Sequence, residues 1–343
     1  MENEEKDLRK LASIQTISEI NPIPGADAIE CATVLGWKCV VKKGEFRAGD
    51  KVVYCEIDSF LPIKEEYEFL RKGCYRKMYT GEEGFRIKTV KLRGQLSQGL
   101  IIPVNDENFL LEEGTDVTED LFIKKYDIEV PAQLRGICKG NFPCFLHKTD
   151  EERIQSAKRV IEEFMGKEVY ITTKINGSSM TVYKRDENDP VGVCSRNLEL
   201  TETEDNAFWK VANKYSLKEK MLSNMCIQGE LAGPGIQKNK LCLSENDLFI
   251  FNVYDIKEGR YLDFEQAKST AKSLGLKFVP VEFVGVFDFT LEQLLEMAKG
   301  KYSGTSNYKE GIVIRPTKET YSPYLRSRLS IKVLNNDDLA SEK

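Results

Sequence analysis

Over the first hundred residues, apolar positions come in short runs that alternate with polar ones or stay apolar throughout. The runs are Ala12–Ile20, Ala28–Leu35, Trp37–Val41, Lys51–Ile57, Phe85–Leu92 and Leu100–Val104. Turn signals punctuate them at Pro22-Ile23-Pro24-Gly25, Lys43-Gly44 and Ala48-Gly49-Asp50. This spacing predicts the short strands of a small barrel or sandwich, with Gly36–Val41 and Asp50–Tyr54 as a hairpin. Ile63–Cys74 reads as a helix or an irregular insertion, and Asp106–Asp120 as an acid-rich loop. A helical period follows from Asp150, the expected N-cap, through Ile154, Ala157, Val160, Ile161 and Phe164, and stops at Met165-Gly166. Further on, strands are predicted at Glu168–Lys174, Ser179–Lys184, Val191–Ser195, Cys226–Leu231, Phe249–Ile256, Gly311–Arg315 and Ser330–Leu334. Helices are predicted at Asn206–Lys214, Asp263–Leu274 and Leu291–Lys299. The change from strands to mixed structure places a domain boundary near 140, giving units 1–140 and 141–343.

Composition narrows the chemistry. A chain of 343 residues is long enough for two cores, and 41% hydrophobic with 31% charged residues is ordinary for a globular protein. A formal net charge of −5 excludes a uniformly basic nucleic-acid binder, so any such surface is a local patch. The only histidine, His147, excludes HExxH and multi-histidine metal sites and reads as structural. Nine cysteines, none in a CxxC pair, disfavour zinc ribbons and dithiol redox chemistry and suit a reducing, intracellular compartment. The charged start MENEEKDLRK predicts no signal peptide, and no apolar run is long enough to span a membrane. What remains is lysine, arginine and carboxylate chemistry, which suits phosphates.

Basic residues gather at Arg71, Lys72, Arg76, Lys77, Arg86, Lys88, Lys91 and Arg93, with Tyr75, Tyr79 and Phe85 among them. Charge for phosphates and rings for bases is the make-up of a single-strand-binding surface. The same pattern also describes a solvated strand face.

Lys174-Ile175-Asn176-Gly177 lies between two strand-like runs, which puts a lysine at a strand end beside a tight turn. Alone it is equally a hairpin turn. In order after it come Ser195-Arg196-Asn197, Gly229-Glu230-Leu231-Ala232-Gly233-Pro234-Gly235, Phe251-Asn252-Val253-Tyr254-Asp255-Ile256, Lys309-Glu310-Gly311-Ile312-Val313-Ile314-Arg315 and Ser330-Ile331-Lys332-Val333-Leu334. This series resembles the successive motifs of covalent nucleotidyltransferases, the polynucleotide ligases and mRNA capping enzymes. The Gly229–Lys238 stretch is similar to that of nick-sealing RNA ligases. Ile20–Asp27, Gly36-Trp37, Gly49–Tyr54 and the Phe142–Gln155 region resemble RNA ligase family five, in which an OB domain precedes the catalytic domain.

The resemblance implies an α+β chain: an N-terminal OB-fold β-barrel for nucleic acid, then a mixed, ATP-grasp-like nucleotidyltransferase domain built on antiparallel sheets. It implies an ATP-dependent RNA ligase that seals 3′-OH/5′-phosphate nicks in a duplex through a lysyl-AMP, using Mg2+ or Mn2+, and a monomer is expected. Lys174 is then the nucleophile and Lys332 the α-phosphate clamp. Glu230 binds the ribose, and Glu310 organises the metal with Glu230 through water. Thr173, Asn176, Gly177 and Arg196 complete the nucleotide site. Tyr254, preferred to Phe251, stacks on adenine, and Arg315 sits at the mouth. Leu334 occupies the place where some relatives carry a second lysine. A lysine with an ordinary pKa near 10.4 is neutral about one time in a thousand at neutral pH, so attack requires its ammonium to be destabilised by about 4 kcal/mol. The competing readings are a capping enzyme, a DNA ligase, a non-catalytic OB-containing nucleic-acid binder, and a generic OB scaffold.

Overall fold

The computed structural model describes residues 10–78, 81–104, 110–126 and 138–341. The charged N-terminal stretch, Tyr79 and the opening of the acid-rich loop lie outside the described residues. The chain divides into two compact units, residues 1–129 and 130–342. The strand Cys138–Asn141, just before the expected boundary, pairs with Leu198–Leu200 and so belongs to the second unit.

The first unit carries a five-stranded antiparallel sheet in the order Leu100–Pro103, Lys51–Cys55, Ala12–Pro22, Ile29–Val34, Trp37–Lys42. Its long first strand serves two partners. Ala12–Thr16 pairs with Lys51–Cys55, and Ile17–Pro22 pairs with Ile29–Val34, with a register shift between Ile17 and Glu19. Such a shift bends a strand and curls its sheet. The hairpin expected from Gly36–Val41 and Asp50–Tyr54 does not form. Trp37–Lys42 pairs with Ile29–Val34, while Lys51–Cys55 lies between the first strand and Leu100–Pro103. Ile14, Ile17, Val34, Trp37, Val53 and Phe85 are buried. Ile63–Cys74 is irregular: a 3-10 turn over Glu65–Leu70, then one helical turn, Arg71–Cys74. Val90–Leu92 and Gln95–Ser97 form a short hairpin.

The second unit holds two larger sheets. One runs Glu152–Arg153, Ile331–Leu334, Gly311–Pro316, Glu168–Lys174, Val281–Val286. The other runs from Cys138–Asn141 through Leu198–Leu200, Gly192–Cys194, Ser178–Lys184 and Met225–Ala232 to Asp247–Asp255, which Arg260–Tyr261 and Lys277–Phe278 flank. In the first sheet Val169, Ile171, Ile312, Ile314, Ile331 and Val333 pack on Val160, Phe164, Leu294 and Ala298. In the second, Met180, Val182, Ile227, Leu231, Leu248 and Ile250 pack on the helices Ala207–Lys214 and Phe264–Ser273. With a side-chain period of two, the alternate residues of each strand are left for a second face.

The helix predicted from Asp150 is a correction. Glu152–Arg153 is a short parallel strand beside Ile331–Leu334, and only Val160–Phe164 is helical. The edge of that sheet takes the segment as a partner, with the Ile154 N–H donating to the Lys332 carbonyl (3.0 Å). Ile154, Ala157, Val160 and Phe164 are nevertheless buried, as their apolar character predicts.

Candidate active site

Strand register assembles the site. Thr172 is opposite Val313, which is opposite Lys332; Lys174 is opposite Gly311, which is opposite Leu334. These residues, with Arg315, share the face of the first sheet turned away from its core. From the second sheet Glu230 and Phe251 meet them. Thr149, Glu151, Thr172, Thr173, Lys174, Ile175, Glu230, Phe251, Val279, Val313 and Arg315 line one cavity.

Glycines allow the close approaches. A Cβ on Gly177 would lie 2.2 Å from the Leu231 carbonyl oxygen and 3.0 Å from Glu230 Cγ, so only glycine lets the turn after Lys174 lie against the Glu230 strand. Gly311 has φ +147°, and a Cβ there would lie 2.0 Å from the Val333 carbonyl oxygen. Between these points Lys174 Nζ meets Glu310 Oε1 at 2.8 Å, with both side chains largely buried. The backbone around the pair is braced. Tyr302 Oη donates to the Lys174 carbonyl (2.8 Å) and accepts from the Glu310 N–H (3.2 Å). The Asn335 N–H donates to the Glu310 carbonyl (2.9 Å), and its Nδ2 donates to that of Lys309 (2.9 Å).

The cavity holds opposed charges. Burial works against the Lys174 ammonium, but Glu310, Glu230 and Glu151 together outweigh it and hold the lysine pKa above its ordinary value. Burial, with the negative charges of Glu310 and Glu151, pushes Glu230 up to about 8 despite the pull of Lys174 and Arg196. Burial also acts against Glu151, but Arg315 and Lys332 keep its carboxyl below the usual range. Arg315 is 2% exposed; its Nε donates to Ser330 Oγ (2.9 Å) and its Nη2 pairs with Glu151. It is therefore a buried cation in the cavity wall rather than a group at the mouth.

Most of the expected residues come together: Thr173, Lys174, Glu230, Glu310 and Lys332 lie in or beside the cavity, and Asn176 and Gly177 form its turn. The Asn176 Oδ1 is buried without a hydrogen-bond partner. Arg196 lies outside the lining, held by two contacts to Asp150 (2.7 and 2.9 Å). Tyr254 is also outside. It packs edge-on to His147 and Tyr261, with centroids 5.4 and 5.0 Å away, while Phe251 faces the cavity. Tyr254 stands opposite Cys226, on the same sheet face as Glu230 but four residues along that strand, where His147 and Tyr261 pack against it. Sequence reasoning missed Glu151, Tyr302 and Asn335 as parts of the site. Glu151 carried a signal, since it lies in the Lys148–Gln155 stretch that bears the resemblance. Among the described residues, no group of three or more His, Cys, Asp or Glu is set to ligate a metal directly.

The candidate nucleic-acid residues divide in two. Arg71 is bound by Glu68 (2.6 Å), Lys77 lies 3.5 Å from Glu83, and Arg86 pairs with Asp58 (3.0 Å) while lying over the Tyr126 ring. Arg76 Nη1 donates to the Tyr75 carbonyl (2.6 Å). Lys91 and Arg93 are exposed on the Val90–Ser97 hairpin, with Lys88 at its base and Lys72 on the helical turn.

Two largely antiparallel sheets that bring a lysine, three glutamates and a second lysine into or beside one cavity define a nucleotidyltransferase-type ligase domain, which follows a curled β unit in the chain. An OB-fold domain profile matches residues 11–104, and an RNA ligase profile matches residues 167–334. The structure of a Naegleria gruberi RNA ligase with pyrophosphate is 41% identical over 96% of this chain and 98% of that one, with a TM-score of 0.86. Mutants of that enzyme solved with AMP and manganese, and with ATP and manganese, are each 40% identical over 96% of this chain and 98% of theirs, with TM-scores of 0.87. No curated protein matches the sequence. The chain belongs to the RNA ligase family, with an OB-fold unit ahead of its ligase domain.

Proposed function

We propose that this enzyme is an ATP-dependent ligase that seals 3′-OH/5′-phosphate nicks in duplex RNA, with Lys174 carrying the AMP. The observation that carries this is the Lys174–Glu310 pair, 2.8 Å apart, beside a cavity walled by Phe251 and Val313. The related ligase has been solved with ATP, AMP, pyrophosphate and manganese, which supports the choice of nucleotide and metal.

In the first step Lys174 Nζ forms a bond to the α-phosphorus, the bond to the bridging oxygen breaks, and pyrophosphate leaves while the ammonium proton passes to solvent. In the second, an oxygen of the RNA 5′-phosphate takes the AMP and the P–N bond breaks. In the third, the 3′-oxygen attacks the 5′-phosphorus and AMP leaves. Adenine lies between Phe251 and Val313, Glu230 holds the ribose, and Lys332 faces the α-phosphate, where charge builds up.

Three carboxylates and an unpartnered Asn176 Oδ1 around Lys174 suit a divalent cation held through its waters by Glu310, Glu230 and Asn176. When bound, that cation would supply positive charge that draws Glu310 from Lys174 and so favours the neutral amine. The OB-fold unit holds the 3′-OH strand, and the 2′-OH distinguishes RNA from DNA there. A monomer in a reducing, intracellular compartment fits nine cysteines that are all free, five of them buried. Among the described residues no helix is long and apolar enough to cross a membrane.

The test is incubation with ATP labelled at the α-phosphate and magnesium or manganese, beside Lys174→Ala, after mass spectrometry of the untreated protein for AMP already bound. Label that survives denaturation on the wild type alone supports the reading. Label from GTP instead would favour a capping-type enzyme, and no label from either would leave a non-catalytic binder.

A further inference from the structure

The nucleotide cavity does not end at the strand that carries Lys174. Thr173 and Ile175 line it on one side and, on the other, line a second cavity of about 440 Å3. The two also meet at consecutive residues, Val279 in the first and Pro280 in the second. Ile175, Leu241, Leu243, Phe249, Pro280 and Tyr302 give this chamber apolar walls, and neither Lys174, Glu230 nor Glu310 reaches it. Of its three lysines, Lys309 pairs with Glu282 (2.6 Å) and Lys277 with Asp247 (2.6 Å), while the exposed Lys301 lies over the Tyr308 ring. The apolar walls of the chamber suit an apolar group.

Its position says which group. Lys174 Nζ marks the phosphate end of the neighbouring cavity, while Phe251 and Val313 mark the base. The part of adenine farthest from the ribose is the six-membered ring with its 6-amino group. A substituent there would leave the first cavity at the wall shared with the chamber. An apolar cavity of about 150 Å3 already accepts a benzene ring, so the chamber has ample room. We propose that the chamber receives a substituent on the base 6-amino group, so that the enzyme accepts N6-alkylated ATP, up to a benzyl group, as an AMP donor. This rests on the first cavity being the ATP site.

The test compares ATP with N6-benzyl-ATP as donors to Lys174, read by the intact mass of the adduct and its rate of formation. The expected result is an N6-benzyl-AMP adduct formed within about tenfold of the ATP rate. Ser303→Trp and Leu241→Trp, two independent ways of filling the chamber, should each slow the benzyl donor by at least about tenfold while ATP changes by less than about twofold. An ATP adduct without any benzyl adduct on the wild type overturns the proposal and leaves the ATP reading intact. So does a benzyl adduct that neither tryptophan slows. Failure of both donors on the wild type overturns the ATP reading itself, and this proposal with it.

Discussion

Lys174, at the end of its strand, and Glu310, just before the adjacent strand Gly311–Pro316, meet at 2.8 Å, so the proposed nucleophile is held as an ammonium by the carboxylate proposed to organise the metal. Removing that carboxylate should lower the lysine pKa. In Glu310→Gln, the pH midpoint for acylation of Lys174 by a small anhydride, followed by peptide mass mapping, is expected to fall by at least about one unit. An unmoved midpoint would show that Glu310 does not hold the proton there. Covalent AMP formation by the same variant should fall by about a hundredfold or more, because the metal's place is lost as well.

Glu230 makes a prediction about stability. Its folded pKa is raised from 4.5 to about 8, so the folded chain binds this proton more tightly than the unfolded chain does. The stabilisation is complete below about 4.5 and is lost as pH rises through about 8. Without metal or nucleotide, the Tm should therefore drop across that interval, and Glu230→Gln should flatten the drop. Calorimetry from pH 5 to 9 checks this, and equal slopes in the two proteins would refute it.

Phe251 and Tyr254 should separate cleanly. Phe251→Ala should raise the KM for ATP about tenfold through loss of ring contact with the base. Tyr254→Ala removes packing against His147 and Tyr261 and should lower Tm while changing KM less than about twofold. Steady-state adenylylation with melting curves distinguishes them, and the reverse pattern would restore Tyr254 as the stacking residue.

Gly177→Ala should cost about 1–3 kcal/mol, because its Cβ would stand 2.2 Å from a backbone oxygen that can move only with the Glu230 strand. Urea unfolding measures the cost. Lysyl-AMP formation should fall more steeply than stability, since the same displacement moves Glu230 away from Lys174.

On the OB-fold unit, the ion pairs sort the basic residues. Reversing charge in the double variant Lys91→Glu with Arg93→Glu should weaken RNA binding and make it less dependent on salt, while auto-adenylylation stays unchanged. Arg71→Glu and Lys77→Glu, whose partners are Glu68 and Glu83, should have much smaller effects on binding. Binding isotherms at several salt concentrations read the difference.

What was legible in the sequence is what local chemistry encodes. The strands at Glu168, Cys226 and Gly311 and the helices at Asn206, Asp263 and Leu291 lie where periodicity put them, because each buries one continuous apolar face. Lys174, Glu230, Glu310 and Lys332 were readable from their motifs. Their mutual placement was not, since it depends on strand register between segments far apart in the chain. The motif around Tyr254 does not reveal that Phe251 lines the cavity while Tyr254 stands opposite Cys226, four residues along the neighbouring strand from Glu230. The segment after Asp150 was misread because an open sheet edge outcompeted its helical period. Tyr302 and Asn335 act by bracing the backbone, which leaves no pattern in a sequence.

The row Thr172–Val313–Lys332 has a consequence for the order in which the enzyme is made. Its strands come from opposite ends of the ligase domain, and the one bearing Lys332 is synthesised after the other two. Until it docks, Gly311 and Val313 lack one neighbour, and Lys174 lacks the second lysine of the site. A chain cut before Ile331 would therefore lack both the edge partner of Gly311–Pro316 and the lysine proposed to face the α-phosphate.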